Sequence, residues 1–215
     1  MILPLHDDNP TTTKPYVTVG IMIACTLVYV LTLVGAQRAS YLLGVVPAVL
    51  TGHLSFEPGM LHLPPYATVF TSMFMHGGFW HLAGNMLYLW IFGNNIEDAM
   101  GHVRFFLFYA LCGAAAVFAQ VLPNPVSETP MIGASGAISA VVGAYALLFN
   151  QNQIRAIGPI PASVIRIAWL AAAWIGVQAL FGLIYPHIAI AAHIGGFLAG
   201  LALGRPLLLW HYRKA

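Results

Sequence analysis

Six stretches of this chain carry almost no charge, near 16–34, 80–96, 103–122, 132–150, 162–184 and 188–210. A run of about 20 mostly apolar residues is long enough to cross the hydrocarbon of a bilayer as a helix. Of the 215 residues, 60% are hydrophobic and 7% charged, with a mean hydropathy of +0.82; soluble domains carry roughly 25% charged residues. Lipid offers no partner to a free backbone N–H or C=O, and no period-two alternation supports a barrel, so each run is expected to be helical. The expected fold class is an all-α polytopic membrane protein with six transmembrane helices. A short N-terminal segment (1–15) precedes a single membrane domain (16–210) and a tail (211–215).

Lys and Arg gather on the cytoplasmic side of membrane proteins, so their placement sets orientation. With six spans, one side holds or adjoins Lys14, Arg104, Arg155, Arg166, Arg205, Arg213 and Lys214, and the other only Arg38. Both termini are therefore expected in the cytoplasm, with 35–79, 123–131 and the turn 185–187 outside. The first sixteen residues, with Asp7 and Asp8, lack the basic-then-apolar-then-small order of a cleaved signal peptide, so the first span is expected to remain. Cys25 and Cys112 each fall within a span and read as small packing residues rather than a disulfide. A net charge of +2 implies no nucleic-acid partner.

The segment 35–79 is apolar but interrupted by Pro47, Pro58, Pro64 and Pro65, so it cannot be one straight span. It is expected to lie at the outer interface, ending at Gly77-Gly78 before a helix that starts near Phe79 or Trp80. GNNIEDAMGH (93–102) reads as a compact cytoplasmic turn closed by Gly101. LPNPVSETP (122–130) reads as an outer connection and NQNQIRAIGPIP (150–161) as its inner counterpart. Small residues recur every four positions at Ala192, Gly196, Gly200 and Gly204, and at Gly136, Ala140 and Ala144. That spacing lets two membrane helices approach closely.

Ionisable groups near the membrane centre cost about 2.5–3.5 kcal/mol on insertion scales, so each one needs a reason. Ser135 and His193 enter the fourth and sixth spans from the outside, and His81 and Asn85 open the second on one helix face. At 1.5 Å per residue all four fall within roughly 10 Å of the outer boundary. A hydroxyl, an imidazole and two side-chain donors at one level form the parts of an acyl-transfer site. Ser135 would be the nucleophile and His193 its base, with His81, Asn85 and the Ser135 N–H as oxyanion donors. Gly133 and Gly136 would let backbone and substrate approach the serine. Within the spans no carboxylate stands level with His193, so a Ser-His dyad is the simpler reading, with Glu57 and Glu128 of the outer loops still open as an acid. The setting is not the Gly-x-Ser-x-Gly elbow of soluble hydrolases, because here Gly-x-Ser-Gly opens a helix.

HGGFWHLAGNM (76–86), GASG (133–136) and AHIGGFLAG (192–200) together resemble the rhomboid family of intramembrane serine proteases, and the likeness runs from about Ala67 to Arg205. It implies a six-helix bundle with an embedded outer loop and a water-filled cavity open to the outside. It also implies oxyanion roles for His81 and Asn85, a structural role for His76, transmembrane proteins as substrates and no cofactor or metal. Two departures stand out. Tyr66-Ala67-Thr68 occupies the region of a Trp-Arg pair found in many members, and Ser139 stands where some members have an aromatic supporting the histidine.

Three other readings use the same residues. One is a non-catalytic relative that binds membrane clients. Another is a membrane metal or haem site built from His76, His81, His187 and His193, though His-Glu-x-x-His is absent. The third, a transporter, would need its polar groups near the midplane. His6, His53, His62 and His211 read as solvent or interface residues, and Trp169, Trp174 and Trp210 as lipid-facing or interfacial. In rhomboid-like proteins the fifth helix can move to admit substrate, which makes Trp174, Gln178 and Phe181 a candidate gate. A chain with so little outside its spans suits a bacterial inner membrane, and organellar membranes stay open.

Overall fold

The computed structural model describes residues 10–56, 62–149, 158–182 and 189–212. Each charge-free run forms a helix: α1 (Tyr16–Thr32), α5 (Phe79–Met100), α6 (His102–Val121), α7 (Ser135–Leu148), α8 (Ala162–Gly182) and α9 (Ile190–Tyr212). Between the first two lie the short helices α2 (Ala36–Leu43), α3 (Pro47–Leu50) and α4 (Pro65–Thr71), the last running into a 3-10 turn at Ser72–Phe74. No strand forms among the described residues, and an isolated β-bridge joins Val45 to Met131. By length and composition α6 and α9 are sufficient to cross a membrane, whereas α1, α7 and α8 are shorter apolar helices by the same measure.

The tightest pairing is α7 against α9. A Cβ on Gly196 would run into the carbonyl oxygen of Gly136, and one on Gly200 into that of Ala140. Gly143 returns the arrangement, facing the carbonyl of Phe197. The four-residue rows of small side chains thus meet backbone to backbone, and α7 is buried along nearly its whole length. Lipid tails are as apolar as leucine, so close van der Waals contact rather than hydrophobicity holds such a pair.

At the opposite end, the sequence 93–100 is helical rather than a turn, and α5 continues to Met100 before Gly101 (φ 80°) ends it. The continuation carries Glu97 into the core, fully buried. A helix start leaves its first N–H groups without partners. Glu97 accepts those of Val17 (2.8 Å) and Thr18 (2.7 Å), and the Thr18 hydroxyl as well. His102 pairs with the same carboxylate oxygen that accepts the Val17 N–H. Arg166 does the converse service for α7, its buried Nε donating to the carbonyl of Ala146 at 2.8 Å in that helix's last turn.

The proline-broken segment is stitched to the 122–131 connection. Val45 and Met131 exchange backbone bonds of 3.0 and 2.7 Å, and the Ala48 N–H donates to Ser127 O at 2.9 Å. Thr71 Oγ1 donates to Leu43 O at 2.7 Å, closing α4 back on α2. Tyr66, in the region of the Trp-Arg pair, is exposed, and Thr68 bonds its own helix at Pro65 O. Cys25 and Cys112 are buried and unlinked. His6, Asp7, Asp8, Glu57, Pro58, Arg155, the turn 185–187 with His187, Arg213 and Lys214 lie outside the described residues, as do the side chains of Phe181, Trp210 and His211.

Gly200→Ala is expected to lower the Tm in detergent, because overpacking costs about 1–3 kcal/mol, more than the roughly 1 kcal/mol of helix propensity gained over glycine. Gly176→Ala, where nothing lies within 4 Å of the added Cβ, is expected to raise it. Thermal unfolding of the two variants would contradict the packing argument if Gly200→Ala were the more stable.

Candidate active site

Gly133 decides where α7 begins. Its φ of 122° is one that side chains rarely adopt. Its N–H donates to Ser72 O at 2.9 Å. The chain turns there, and the helix starts at Ser135 itself rather than a turn earlier. A helix-opening N–H has no intrahelical acceptor and lies at the positive end of the helix dipole. His193 is the fourth residue of α9, one turn below its start at Ile190. The α7–α9 contact then brings Ser135 Oγ to 2.8 Å from His193 Nε2. Both residues are buried, at 9% and 5% exposure.

Gln120, a polar residue in the last turn of α6, fixes the head of α9. Its Oε1 accepts the Ala192 N–H at 3.1 Å. This contact is missed by sequence reasoning, although an amide in an apolar run was the available signal.

From α5, His81 faces the pair across Gly133. A Cβ on Gly133 would sit 2.8 Å from His81 Nε2 and 3.7 Å from Ser135 Oγ. The missing side chain keeps a gap between imidazole and hydroxyl. Asn85 is buried one turn on, and its Nδ2 donates to His81 O at 3.0 Å. An amide carries two N–H donors, so one remains for another acceptor. His76 is buried behind His81, ring edge to ring face at 5.1 Å, with Nδ1 on Phe74 O at 3.2 Å. Gly136 belongs to the small-residue row expected to let helices approach, and a Cβ there would meet Ala116 and Ala192.

Ser135, His193, His81 and Asn85 line one cavity of about 580 Å³ that also reaches Gln120 and Trp174. Trp174, expected to be lipid-facing or interfacial and also named in the candidate gate, is 3% exposed. Its Nε1 donates to Ser139 Oγ at 2.7 Å. Trp169 is exposed, as are His53 and His62. Glu128 is exposed on the 122–131 connection, and His193 Nδ1 has no hydrogen-bond partner among the described residues. Among those residues no three His, Cys, Asp or Glu side chains come together in a way that could hold a metal ion.

The rhomboid-domain model matches residues 65–210, well over half of the chain. The chain belongs to the rhomboid family. Rhomboid protein 1, mitochondrial, of Saccharomyces cerevisiae is 32% identical over 158 residues, covering 69% of this chain and 42% of that protein. Rhomboid protease GluP of Bacillus subtilis is 34% identical over 140 residues, covering 63% and 26%. Rhomboid protease GlpG of Salmonella choleraesuis is 27% identical over 190 residues, covering 87% and 61%. The chain thus spans less than half the length of the first two relatives and under two thirds of the third. Membership makes this rhomboid an integral membrane protein.

Gly133→Ala is expected to destabilise the protein by about 1–3 kcal/mol through backbone strain alone, and to push His81 from its position. Thermal unfolding in detergent checks the first; an unchanged Tm would show that the φ of 122° carries no cost.

Proposed function

We propose that this rhomboid is a serine endopeptidase that cleaves transmembrane segments of other membrane proteins. The 2.8 Å approach of Ser135 Oγ to His193 Nε2, beside a cavity, carries the reading. As the Oγ attacks a substrate carbonyl carbon, His193 Nε2 takes its proton. The imidazolium then returns that proton to the leaving amine, the C–N bond breaks, and an acyl-enzyme remains. Water, deprotonated by the same nitrogen, hydrolyses the ester and regenerates Ser135.

The oxyanion of each tetrahedral intermediate would sit in the gap kept by Gly133. His81, the second Asn85 N–H and the Ser135 backbone N–H are its donors. No cofactor takes part in this scheme.

In this reading α1, α5, α6, α7, α8 and α9 are the six spans, and the 35–79 segment is the embedded outer loop. The length of α7 supports access to water. Its 14 residues rise about 21 Å, short of a hydrocarbon core of about 30 Å. With its far end at the inner boundary, Ser135 is recessed by roughly 9 Å from the outer one. The distribution of Lys and Arg puts the termini in the cytoplasm and the cavity toward the outside. A bacterial inner membrane is the setting we propose, since two of the relatives above are bacterial proteins.

Reconstituted in liposomes with a substrate whose transmembrane helix unwinds readily, the wild type is expected to cut it. Ser135→Ala and His193→Ala are each expected to lower the rate by about 10³-fold or more, with unfolding temperatures close to wild type. Cleavage retained by Ser135→Ala would overturn the mechanism.

A further inference from the structure

The histidine of the proposed dyad lacks the restraint a triad would give it. An acid bonded to the second ring nitrogen normally fixes the imidazole's orientation. Among the described residues nothing bonds His193 Nδ1. Packing must therefore set how Nε2 is aimed. The ring in contact is Trp174 of α8, with centroids 6.4 Å apart and planes at 68°.

Trp174 is itself held from two sides. Tyr88 of α5 meets it at 4.5 Å between centroids and 63°. Its Nε1 donates to Ser139 Oγ at 2.7 Å, and that hydroxyl donates on to Ser135 O at 2.7 Å. A connected path thus runs from the backbone of the nucleophile through Ser139 and the indole to the ring of the base. We propose that Trp174 is a positioning residue for His193, oriented by the Ser139 hydroxyl; the proposal rests on the protease reading above. Ser139 leaves no aromatic of its own helix beneath the histidine, and the indole arriving from the neighbouring helix takes that place.

The arrangement ties chemistry to the seat of α8. That helix packs chiefly on α7 and makes few contacts with α9. Trp174 is a point at which α8 touches the reacting pair. A displacement of α8 that withdraws the indole would leave Nε2 free to rotate away from Oγ.

A small fluorophosphonate separates positioning from gating, because it reacts with an activated serine and needs no lateral entry between helices. Labelling rate constants are measured on monodisperse protein in detergent, with steady-state cleavage in parallel. Trp174→Ala is expected to slow labelling on the order of tenfold and lower kcat, with KM little changed. Trp174→Phe keeps the ring but not the N–H and is expected to fall between. Ser139→Ala is expected to match it, and the double variant Trp174→Phe with Ser139→Ala to be no slower than either alone, since both remove one bond. If Trp174→Ala does not fold, the Trp174→Phe and Ser139→Ala variants still decide. Labelling as fast as wild type in these variants, or faster in Trp174→Ala, would overturn the positioning role and leave a gate. Wild type that fails to label at Ser135 would instead overturn the protease reading, and this proposal with it.

Discussion

The absence of side chains between α7 and α9 governs the geometry of this rhomboid. Gly196 and Gly200 let α9 lie against the carbonyls of Gly136 and Ala140, and Gly143 repays the contact against Phe197. Two helices that close have a single register, because moving either one brings a Cβ into backbone. Ser135 opens one helix and His193 lies in the first turn of the other, so the register fixes the distance between Oγ and Nε2. Preorganisation of this kind comes from backbone contact, which has little conformational freedom to lose.

Three polar groups of the bundle serve helix ends. Glu97 receives the first N–H groups of α1, Arg166 donates to a last-turn carbonyl of α7, and Gln120 receives an N–H at the head of α9. Each satisfies a backbone group that lipid cannot, which offsets the cost of placing a polar side chain there. The site uses the same device without satisfying it. In the proposed mechanism the Ser135 N–H at the start of α7 and the second N–H of Asn85, both on residues that line the cavity, would serve an anion that exists only during reaction.

Much of the architecture was readable because charge-free runs, glycine punctuation and four-residue spacing are local signals. The six long helices and the Gly/Ala contact of α7 with α9 follow from them. Ser135, His193, His81 and Asn85 were nameable as polar residues near one end of three runs. The misreadings share a physical cause. Facing lipid and facing a neighbouring helix demand equally apolar side chains, so hydropathy does not report how a membrane helix is rotated. Trp174 was therefore read as lipid-facing or interfacial although it is buried. The turn expected at 93–102 is helix through Met100 because Glu97, polar in sequence, has its partners in α1, some eighty residues away. Tertiary partners of that kind leave no local pattern.

The claim on which everything rests is that His193 activates Ser135. It is tested most directly by trapping the nucleophile with a fluorophosphonate and mapping the adduct by mass spectrometry in wild type and His193→Ala. The account predicts one adduct, on Ser135, in the wild type and none at matched exposure in the variant. An adduct on another residue, or equal labelling of Ser135 without the histidine, would contradict it.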